Sequence, residues 1–400
     1  MRRAATGTDY NGVGSNTVRR NGPAMSDRSI KAFSCRNVSR RFLLTSAAAF
    51  TAGIVCAKSR VLANDGVSWL EEIQRAPAKM PPAARLSPLL VDEQGTVIDT
   101  RAAWEKQRPR LLKKWQTFLG ELDAKRTAAP KLTVLAEDRI DGVIRQRVQY
   151  EVEPGLTTEA YLLRPAETAS VKRPGVVVFH STVDHSIDQP AGVQGEAAKA
   201  FGLQLARQGF VTFCPRNYLW PDNNHLKAKV EAERFIKRQP QCLGMAKMLY
   251  DGQVALDILA AQTDVDTARL GTVGHSLGAK EALYLAAFDE RVKATVSSEG
   301  GIGITFSNWH DAWYLGPKVK EPGFALEHHE LLALVAPRAF LLVGGDSADG
   351  DKSWPFIEAA LPVYRLYDER PALGLFNHKQ GHSVPPEVVE RIGQWCKAYL

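Results

Sequence analysis

The segment 274–278 reads Gly-His-Ser-Leu-Gly and holds a serine between two glycines, in the pattern G-x-S-x-G. An apolar run at 270–273 precedes it and predicts a buried strand, and good helix formers follow at 279–287. A strand, a sharp turn and a helix are the context in which this pattern presents a serine hydroxyl as a nucleophile. We therefore predict that Ser276 is a catalytic nucleophile and that the backbone N–H of Leu277 faces the oxyanion it creates.

A serine hydroxyl is a poor nucleophile until a base takes its proton. His382, flanked by glycine and serine, lies between the last predicted strand, 373–376, and a predicted closing helix, 385–399. This position and the chain order of serine before histidine fit the G-x-S-x-G context. His378 is the alternative base, and we prefer His382 for its small neighbours and its place just before a helix that begins with proline.

A third residue must orient the imidazole, and the sequence offers acids in two loops. The loop after the predicted strand 339–343 contains Asp346 and Asp349, of which Asp349 has the more usual offset. Glu299 directly follows the predicted strand before that one and is the alternative. We prefer Asp349 as the catalytic acid and keep Glu299 and Asp346 open.

A second oxyanion donor is expected in the loop after the predicted strand that ends at His180, which makes Ser181 or Thr182 the candidate. His180 and His185, with aspartates nearby, could suggest a metal site. Their spacing suits no common site, and the sequence contains no H-E-x-x-H motif. We predict neither a metal nor a cofactor, since this chemistry needs none.

Predicted strands and helices alternate from Pro174 onward, which indicates an α/β fold with a doubly wound, mostly parallel sheet. Strands before Pro174 are expected to add an antiparallel N-terminal edge; they are predicted at 131–136, 143–150 and 158–164. A helix is predicted at 100–122. The polar stretch 216–240 is interpreted as an irregular surface segment or a small cap. We expect one catalytic domain, 100–400, after a linker and N-terminal arm, 64–99.

The formal charge of +7 is unevenly distributed along the 400 residues. Residues 1–63 hold eleven lysines and arginines against two aspartates, a net +9, so the remainder carries −2. The basic character therefore belongs to a leader, and the charge pattern does not indicate a nucleic-acid partner. Of five cysteines, three lie beyond the leader, at 214, 242 and 396, and can form at most one disulfide.

The leader contains Ser-Arg-Arg-Phe-Leu-Leu at 39–44, which resembles a twin-arginine export signal. A weakly polar run follows at 43–57 and is too short to span a membrane; its alternative interpretation is a buried core segment. Small and apolar residues at 61–63 precede a possible cleavage site at Asn64. We therefore expect a bacterial protein that is periplasmic or secreted, with no stable membrane span after leader removal.

These motifs together resemble the alpha/beta-hydrolase superfamily over residues 100–400. Glu-Gly-Gly-Ile-Gly at 299–303, and Lys280 four residues after the serine, resemble carbohydrate esterases of the glucuronoyl esterase and acetyl xylan esterase type. That resemblance implies that Glu299 is a catalytic acid and that Lys280 lines a sugar site. Leu277 departs from the pattern, because glucuronoyl esterases carry an arginine there. An acetyl esterase or dienelactone-hydrolase-like activity therefore stays open.

Two tryptophans, Trp309 and Trp313, follow the glycine-rich turn. They could bind a substrate by stacking on a sugar ring, or they could pack the loop against the sheet, and both interpretations stay open. The sequence thus predicts an exported serine hydrolase that cleaves a small-molecule or oligosaccharide ester, acetyl or glucuronoyl, through a Ser-His-acid triad and an acyl-enzyme. The alternatives are a peptidase on the same fold and a non-catalytic carbohydrate-binding protein.

Overall fold

The computed structural model of the chain describes residues 66–82, 86–124, 128–367 and 369–400. All of these lie in one unit, Arg60–Leu400. The leader 1–63, with its twin-arginine motif and the predicted cleavage site at Asn64, lies outside the described residues.

Nine strands in the described part of the chain form a single sheet. They are β1 (Thr133–Ile140), β2 (Val143–Glu153), β3 (Leu156–Pro165), β4 (Arg173–Phe179), β5 (Val211–Pro215), β6 (Val265–His275), β7 (Val292–Ser298), β8 (Ala339–Gly344) and β9 (Leu373–Asn377). Their spatial order is β1-β2-β3-β5-β4-β6-β7-β8-β9. Strands β1, β2 and β3 pair antiparallel, β3 pairs antiparallel with β5, and the remaining pairs are parallel. The predicted sheet and its antiparallel N-terminal edge are confirmed.

Among the described residues, two α-helices precede β1 and the others lie between and after the strands. They are α1 (Leu70–Ile73), α2 (Arg101–Leu119), α3 (Phe201–Arg207), α4 (Ala228–Arg238), α5 (Gly244–Ala260), α6 (Leu277–Phe288), α7 (His329–Val335), α8 (Trp354–Tyr364) and α9 (Pro386–Tyr399). Thr100 caps α2, because its hydroxyl accepts a hydrogen bond from Ala103 N at 3.2 Å. Gly120 ends that helix with φ of 80°, a conformation that favours glycine.

The two faces of the sheet bury separate apolar clusters. Val176 and Val178 of β4 belong to the cluster that contains residues of α1, α3 and α9. The intervening Val177 and Phe179 belong to the other cluster, which contains residues of α2 and of α5 to α8. Successive side chains of a strand point to opposite faces, so helices cover the sheet on both sides, as a doubly wound fold requires.

The prediction of an irregular segment at 216–240 is wrong over α4. This helix buries only Ala232 and Phe235 among its eleven residues, so its apolar stripe is narrow and its composition is mostly charged. The stripe is too sparse for periodicity to reveal. Strand β6 also begins at Val265, five residues before the apolar run, because its first part is polar and partly exposed.

Candidate active site

The carboxyl ends of parallel strands meet at one edge of the sheet, and most of the predicted site residues lie there. Ser276 follows β6, and Glu299 follows β7. The loop that contains Asp346 and Asp349 follows β8, and His382 lies in the loop after β9. Four consecutive strands, β6 to β9, thus bring these side chains to the same edge of the sheet.

Ser276 lies in a strained turn between β6 and α6. Its φ of 60° and ψ of −114° are unusual for a residue with a side chain. Strand β6 and helix α6 pass so closely that a Cβ at Gly274 would clash with the carbonyl oxygen of Gly278. Leu277 is the first residue of α6, where backbone N–H groups have no partner within the helix. The turn therefore has the geometry of a nucleophile elbow, with the Leu277 N–H available to an oxyanion.

His382 is hydrogen-bonded to Glu299, with 3.1 Å between its Nδ1 and a carboxylate oxygen, Oε2. The carboxylate can only accept, so Nδ1 carries the proton and Nε2 is left to act as a base. The ring of His382 also lies 4.7 Å from the ring of His275, which precedes the serine in the chain. These contacts bring the imidazole to the elbow.

Glu299 is buried, with 1% of its surface exposed. Besides His382 it binds the backbone N–H groups of Gly345 and, at 2.7 Å, of Ala348. Burial alone raises the pKa of Glu299, but the hydrogen bonds from His382, Ala348 and Gly345 outweigh it and hold the pKa below its usual value. The carboxyl group is thus kept ionised beside the imidazole.

The preference for Asp349 as the partner of His382 is wrong. Asp349 is fully buried and accepts hydrogen bonds from Gly301 N at 2.6 Å and Ile302 N at 2.8 Å. A third bond comes from the Ser353 hydroxyl at 2.8 Å. Burial raises the pKa of Asp349, although these bonds partly offset it. Its oxygens are therefore committed to the turn after Glu299 rather than to the imidazole.

The two remaining alternatives, Asp346 and His378, make other contacts. Asp346 is exposed and accepts a hydrogen bond from the Asn377 amide at 2.7 Å. His378 Nδ1 accepts one from Gln380 N at 3.2 Å, a local contact within its own loop. The structure thus pairs His382, rather than His378, with a buried acid.

Side chains bind the carbonyl oxygens of the glycine-rich turn after Glu299. Lys280 Nζ donates to the oxygen of Gly300 at 2.6 Å, and Trp309 Nε1 donates to that of Gly301 at 2.7 Å. His328 Nδ1 donates to the oxygen of the next residue, Ile302, at 2.8 Å. Together with the bonds to Asp349, these contacts fix the turn that carries the acid.

The expected substrate contacts of Lys280 and Trp309 are not supported by this geometry. The two residues are only 3% and 1% exposed, so Trp309 cannot stack on a sugar and its packing interpretation is correct. Burial lowers the pKa of Lys280 to about 8, with Asp349 and Asp311 acting against it. Trp313 is partly exposed and stays a candidate for substrate binding.

One of the two candidates for the second oxyanion donor is already engaged. The Ser181 N–H donates to the Gln189 side-chain oxygen at 2.9 Å, so Ser181 is not a free donor and that expectation is wrong. Thr182, the next residue, is exposed and stays a candidate. Gln189 was not identified from the sequence, because a glutamine eight residues away in a loop carries no motif.

His180 is neutral and held on both ring nitrogens. Its Nδ1 donates to the Ser181 oxygen at 2.7 Å, and Nε2 lies 3.2 Å from the backbone nitrogen of Asn217, which donates to it. Burial lowers the pKa of His180 to about 4. With both nitrogens in use, His180 links the loop after β4 to Asn217, which follows β5.

A further buried acid, Glu281, lies five residues after the serine on α6. Burial raises its pKa to about 8, Asn217 acts in the opposite direction, and Asp251 raises it further. Its Oε1 makes no hydrogen bond to any described residue. Burial thus favours the protonated, neutral form of the Glu281 carboxyl group.

The described residues contain no group of three or more histidine, cysteine, aspartate or glutamate side chains arranged to hold a metal ion. Cys214, Cys242 and Cys396 are all buried free thiols. No helix within the described ranges is both long and apolar enough to cross a membrane.

The sheet and the strand-end residues define an alpha/beta-hydrolase fold, as predicted. Comparison with known proteins agrees: residues 158–320 match the dienelactone hydrolase family. A glucuronoyl esterase from Solibacter usitatus superposes with a TM-score of 0.63 at 20% identity, covering 80% of this chain and 99% of that structure.

Two curated relatives are similar in sequence. The carbohydrate esterase MZ0003, from an unknown prokaryotic organism, is 24% identical over 177 residues, covering 40% of each chain. The putative hydrolase YtaP of Bacillus subtilis (strain 168) is 26% identical over 244 residues, 57% of this chain and 77% of that protein. The match to MZ0003 thus spans two fifths of its length. The resemblance to carbohydrate esterases of this superfamily is confirmed.

Proposed function

We propose that the protein is a serine esterase that hydrolyses carbohydrate-linked esters with the triad Ser276, His382 and Glu299. The observation that carries the proposal is the 3.1 Å contact between His382 Nδ1 and the buried carboxylate of Glu299, next to a serine in a strained elbow. An ionised acid that fixes the imidazole tautomer leaves Nε2 free to accept the serine proton.

In the first half of the reaction, Ser276 Oγ attacks the acyl carbon while His382 Nε2 takes its proton. The N–H of Leu277, assisted by the N–H of Thr182, stabilises the negative charge on the carbonyl oxygen. His382 then gives the proton to the leaving alcohol, and an acyl-enzyme on Ser276 remains. Water repeats these steps on the acyl-enzyme, with His382 again acting first as base and then as acid.

The carbohydrate esterase and the glucuronoyl esterase among the similar proteins support an ester on a sugar as the substrate. Leu277 is apolar and 1% exposed, so the position after the serine supplies only its backbone N–H. The substrate must then be held by other groups. We propose acetyl and glucuronoyl esters as the two candidate classes, together with export through the twin-arginine leader.

The test is hydrolysis by the purified enzyme of p-nitrophenyl acetate, of acetylated and glucuronoylated oligosaccharides, and of peptide anilides. Ester cleavage without anilide cleavage is the expected result. Anilide cleavage at a comparable kcat/KM would instead indicate a peptidase. Absence of any hydrolysis, with sugar binding retained, would indicate a non-catalytic binding protein.

A further inference from the structure

A cavity of about 470 Å³ lies beside α4 at the same edge of the sheet as Ser276. Its lining includes Thr158, Asn217, Tyr218, Phe235, Arg238 and Asp251. Asn217 and Tyr218 follow β5, whereas the serine follows β6, and β4 alone separates those two strands. Two strand spacings amount to about 10 Å, so a ligand longer than one small ring can reach from the serine toward the cavity.

The charges around this cavity cancel in pairs. The pairs are Arg216 with Glu159 at 3.1 Å, Arg234 with Glu231 at 2.5 Å, Arg238 with Glu153 at 3.0 Å, and Lys247 with Glu153 at 2.8 Å and with Asp251. Although burial acts to raise it, the pKa of Glu153 is lowered to about 2 by hydrogen bonds and charges from Arg238 and Lys247. Every lysine and arginine that lines the cavity is therefore already paired with a carboxylate, which disfavours an anionic ligand.

The paired charges leave a cavity wall of fixed planar polar groups beside one partly exposed aromatic ring, that of Tyr218. Tyr218 and Phe235 lie with their ring centres 5.5 Å apart, and the guanidinium of Arg238 lies 5.8 Å from the centre of the Phe235 ring. A sugar ring offers hydroxyl groups on its edge, which donate and accept at once, and C–H groups on its faces. Paired carboxylates and guanidinium groups suit the hydroxyl groups, and the partly exposed ring of Tyr218 suits the C–H faces. Phe235 is itself buried and packs against the Tyr218 ring.

We propose that this cavity is a binding subsite for a neutral glycosyl unit of the substrate, next to the unit whose ester is at Ser276. The proposal rests on the proposed esterase function, which it deepens by assigning an oligosaccharide rather than a small ester as the substrate. Helix α4 forms one wall through Glu231, Arg234, Phe235 and Arg238.

The kinetic test fills the cavity with Thr157→Trp. Thr157 lines the cavity and is exposed, so we expect the protein to fold with the larger side chain at this position. We expect KM for an acetylated neutral oligosaccharide to rise by at least about fivefold relative to KM for p-nitrophenyl acetate, because only the longer substrate reaches the cavity. The matched control is Val171→Trp, at a position 72% exposed before β4, which should leave both KM values unchanged. An unchanged ratio of the two KM values in Thr157→Trp would overturn the subsite.

The binding test does not depend on catalysis. The Ser276→Ala variant is titrated with neutral tetrasaccharides of xylose, glucose and mannose and with an oligogalacturonate. Calorimetry and ligand-observed NMR measure the binding of each sugar. We expect a neutral tetrasaccharide to bind, and the binding to be lost when Thr157→Trp is added. Binding of the oligogalacturonate alone, or binding unaffected by Thr157→Trp, would refute the subsite. Sugar binding without hydrolysis in the wild type would refute the esterase and leave the subsite standing.

Discussion

At the scale of single residues, two carboxylates cross-brace the loops that surround the histidine. Glu299 follows β7 and accepts hydrogen bonds from N–H groups of the β8 loop, at Gly345 and Ala348. Asp349 belongs to the β8 loop and accepts hydrogen bonds from Gly301 and Ile302 in the turn after β7. Only Glu299 also contacts His382. The two acids thus share a bracing role, and one of them additionally orients the base.

This arrangement predicts different outcomes for Glu299→Gln and Asp349→Asn. In Glu299→Gln the amide no longer fixes the imidazole tautomer, and we expect kcat to fall by about 10⁴ by analogy with the serine protease triad. In Asp349→Asn an amide N–H₂ meets backbone donors, and we expect a loss of about 1–3 kcal/mol in unfolding free energy with kcat reduced less than about tenfold. Denaturant unfolding and steady-state kinetics on both variants provide the measurement.

A larger loss of kcat in Asp349→Asn than in Glu299→Gln would contradict the assignment of the acid. The comparison requires folded protein in both cases, which circular dichroism verifies. Because both variants exchange one oxygen for an NH₂ group, differences in side-chain volume do not affect the comparison.

The sequence identifies both acids but cannot select between them. Both follow a strand at the same edge, and the choice depends on which way each loop turns. Glu299 has a φ of 56°, in the left-handed region, and this local backbone turn is not encoded in a motif. For the same reason the sequence could not reveal that Lys280 and Trp309 bind the turn, since their partners are backbone oxygens in a loop twenty or fewer residues away.

At the scale of elements, helix α6 carries the elbow and is buried along nearly all of its length. Residues 277–287 are all buried, among them Lys280 and Glu281, which carry ionisable groups. Burial of Glu281 is tolerated because its raised pKa favours the protonated carboxyl group. The raised pKa of Glu281 therefore links the stability of the protein to pH.

Glu281→Gln tests this link. The pKa of Glu281 is raised from 4.5 to about 8 in the folded protein. The folding stability that depends on a protonated Glu281 is fully present below pH 4.5. It is lost as the pH rises through 8, with a slope in unfolding free energy of up to about 1.4 kcal/mol per pH unit. We expect the glutamine variant to have a higher Tm than the wild type at alkaline pH and a similar Tm in acid. Thermal unfolding across this pH range measures the Tm of both proteins. A constant difference in Tm at all pH values would contradict the link between Glu281 and pH.

The regular elements were predictable where their apolar patterns are strong. The central strands β4, β6, β7 and β8 are short apolar runs, and the structure contains strands at each of them. Helix α4 was missed because a single phenylalanine and an alanine form its buried stripe. The cavity beside α4 was therefore not predictable either, since it depends on how this helix packs beside the start of β3.

At the scale of the whole molecule, charge separates the leader from the rest of the chain. Residues 1–63 carry a net +9, and the remainder carries −2. The described part forms a doubly wound sheet with two buried faces, which the sequence predicted from the alternation of strands and helices. The export that we propose for residues 1–63, by contrast, depends on recognition by an export machinery and not on packing.

Replacement of both Arg40 and Arg41 by lysine should retain the protein in the cytoplasm, because the arginine pair is the element that twin-arginine export reads. The control is the same double replacement at Arg19 and Arg20, another arginine pair in the leader, which keeps composition and charge equal. Fractionation of expressing bacterial cells provides the measurement. Undiminished export of the first variant, or equal loss in both, would show that the leader acts in another way.

The most direct test of the central claim is covalent labelling of Ser276. The purified wild type is treated with a fluorophosphonate probe, and the adduct is located by mass spectrometry of peptides, with Ser347→Ala, in the exposed β8 loop, as a matched control. We predict one adduct on Ser276 in the wild type and the control, none in Ser276→Ala, and less than about a hundredth of wild-type kcat in that variant. Labelling of Ser276→Ala, or ester hydrolysis by it above that level, would contradict the assignment of the nucleophile.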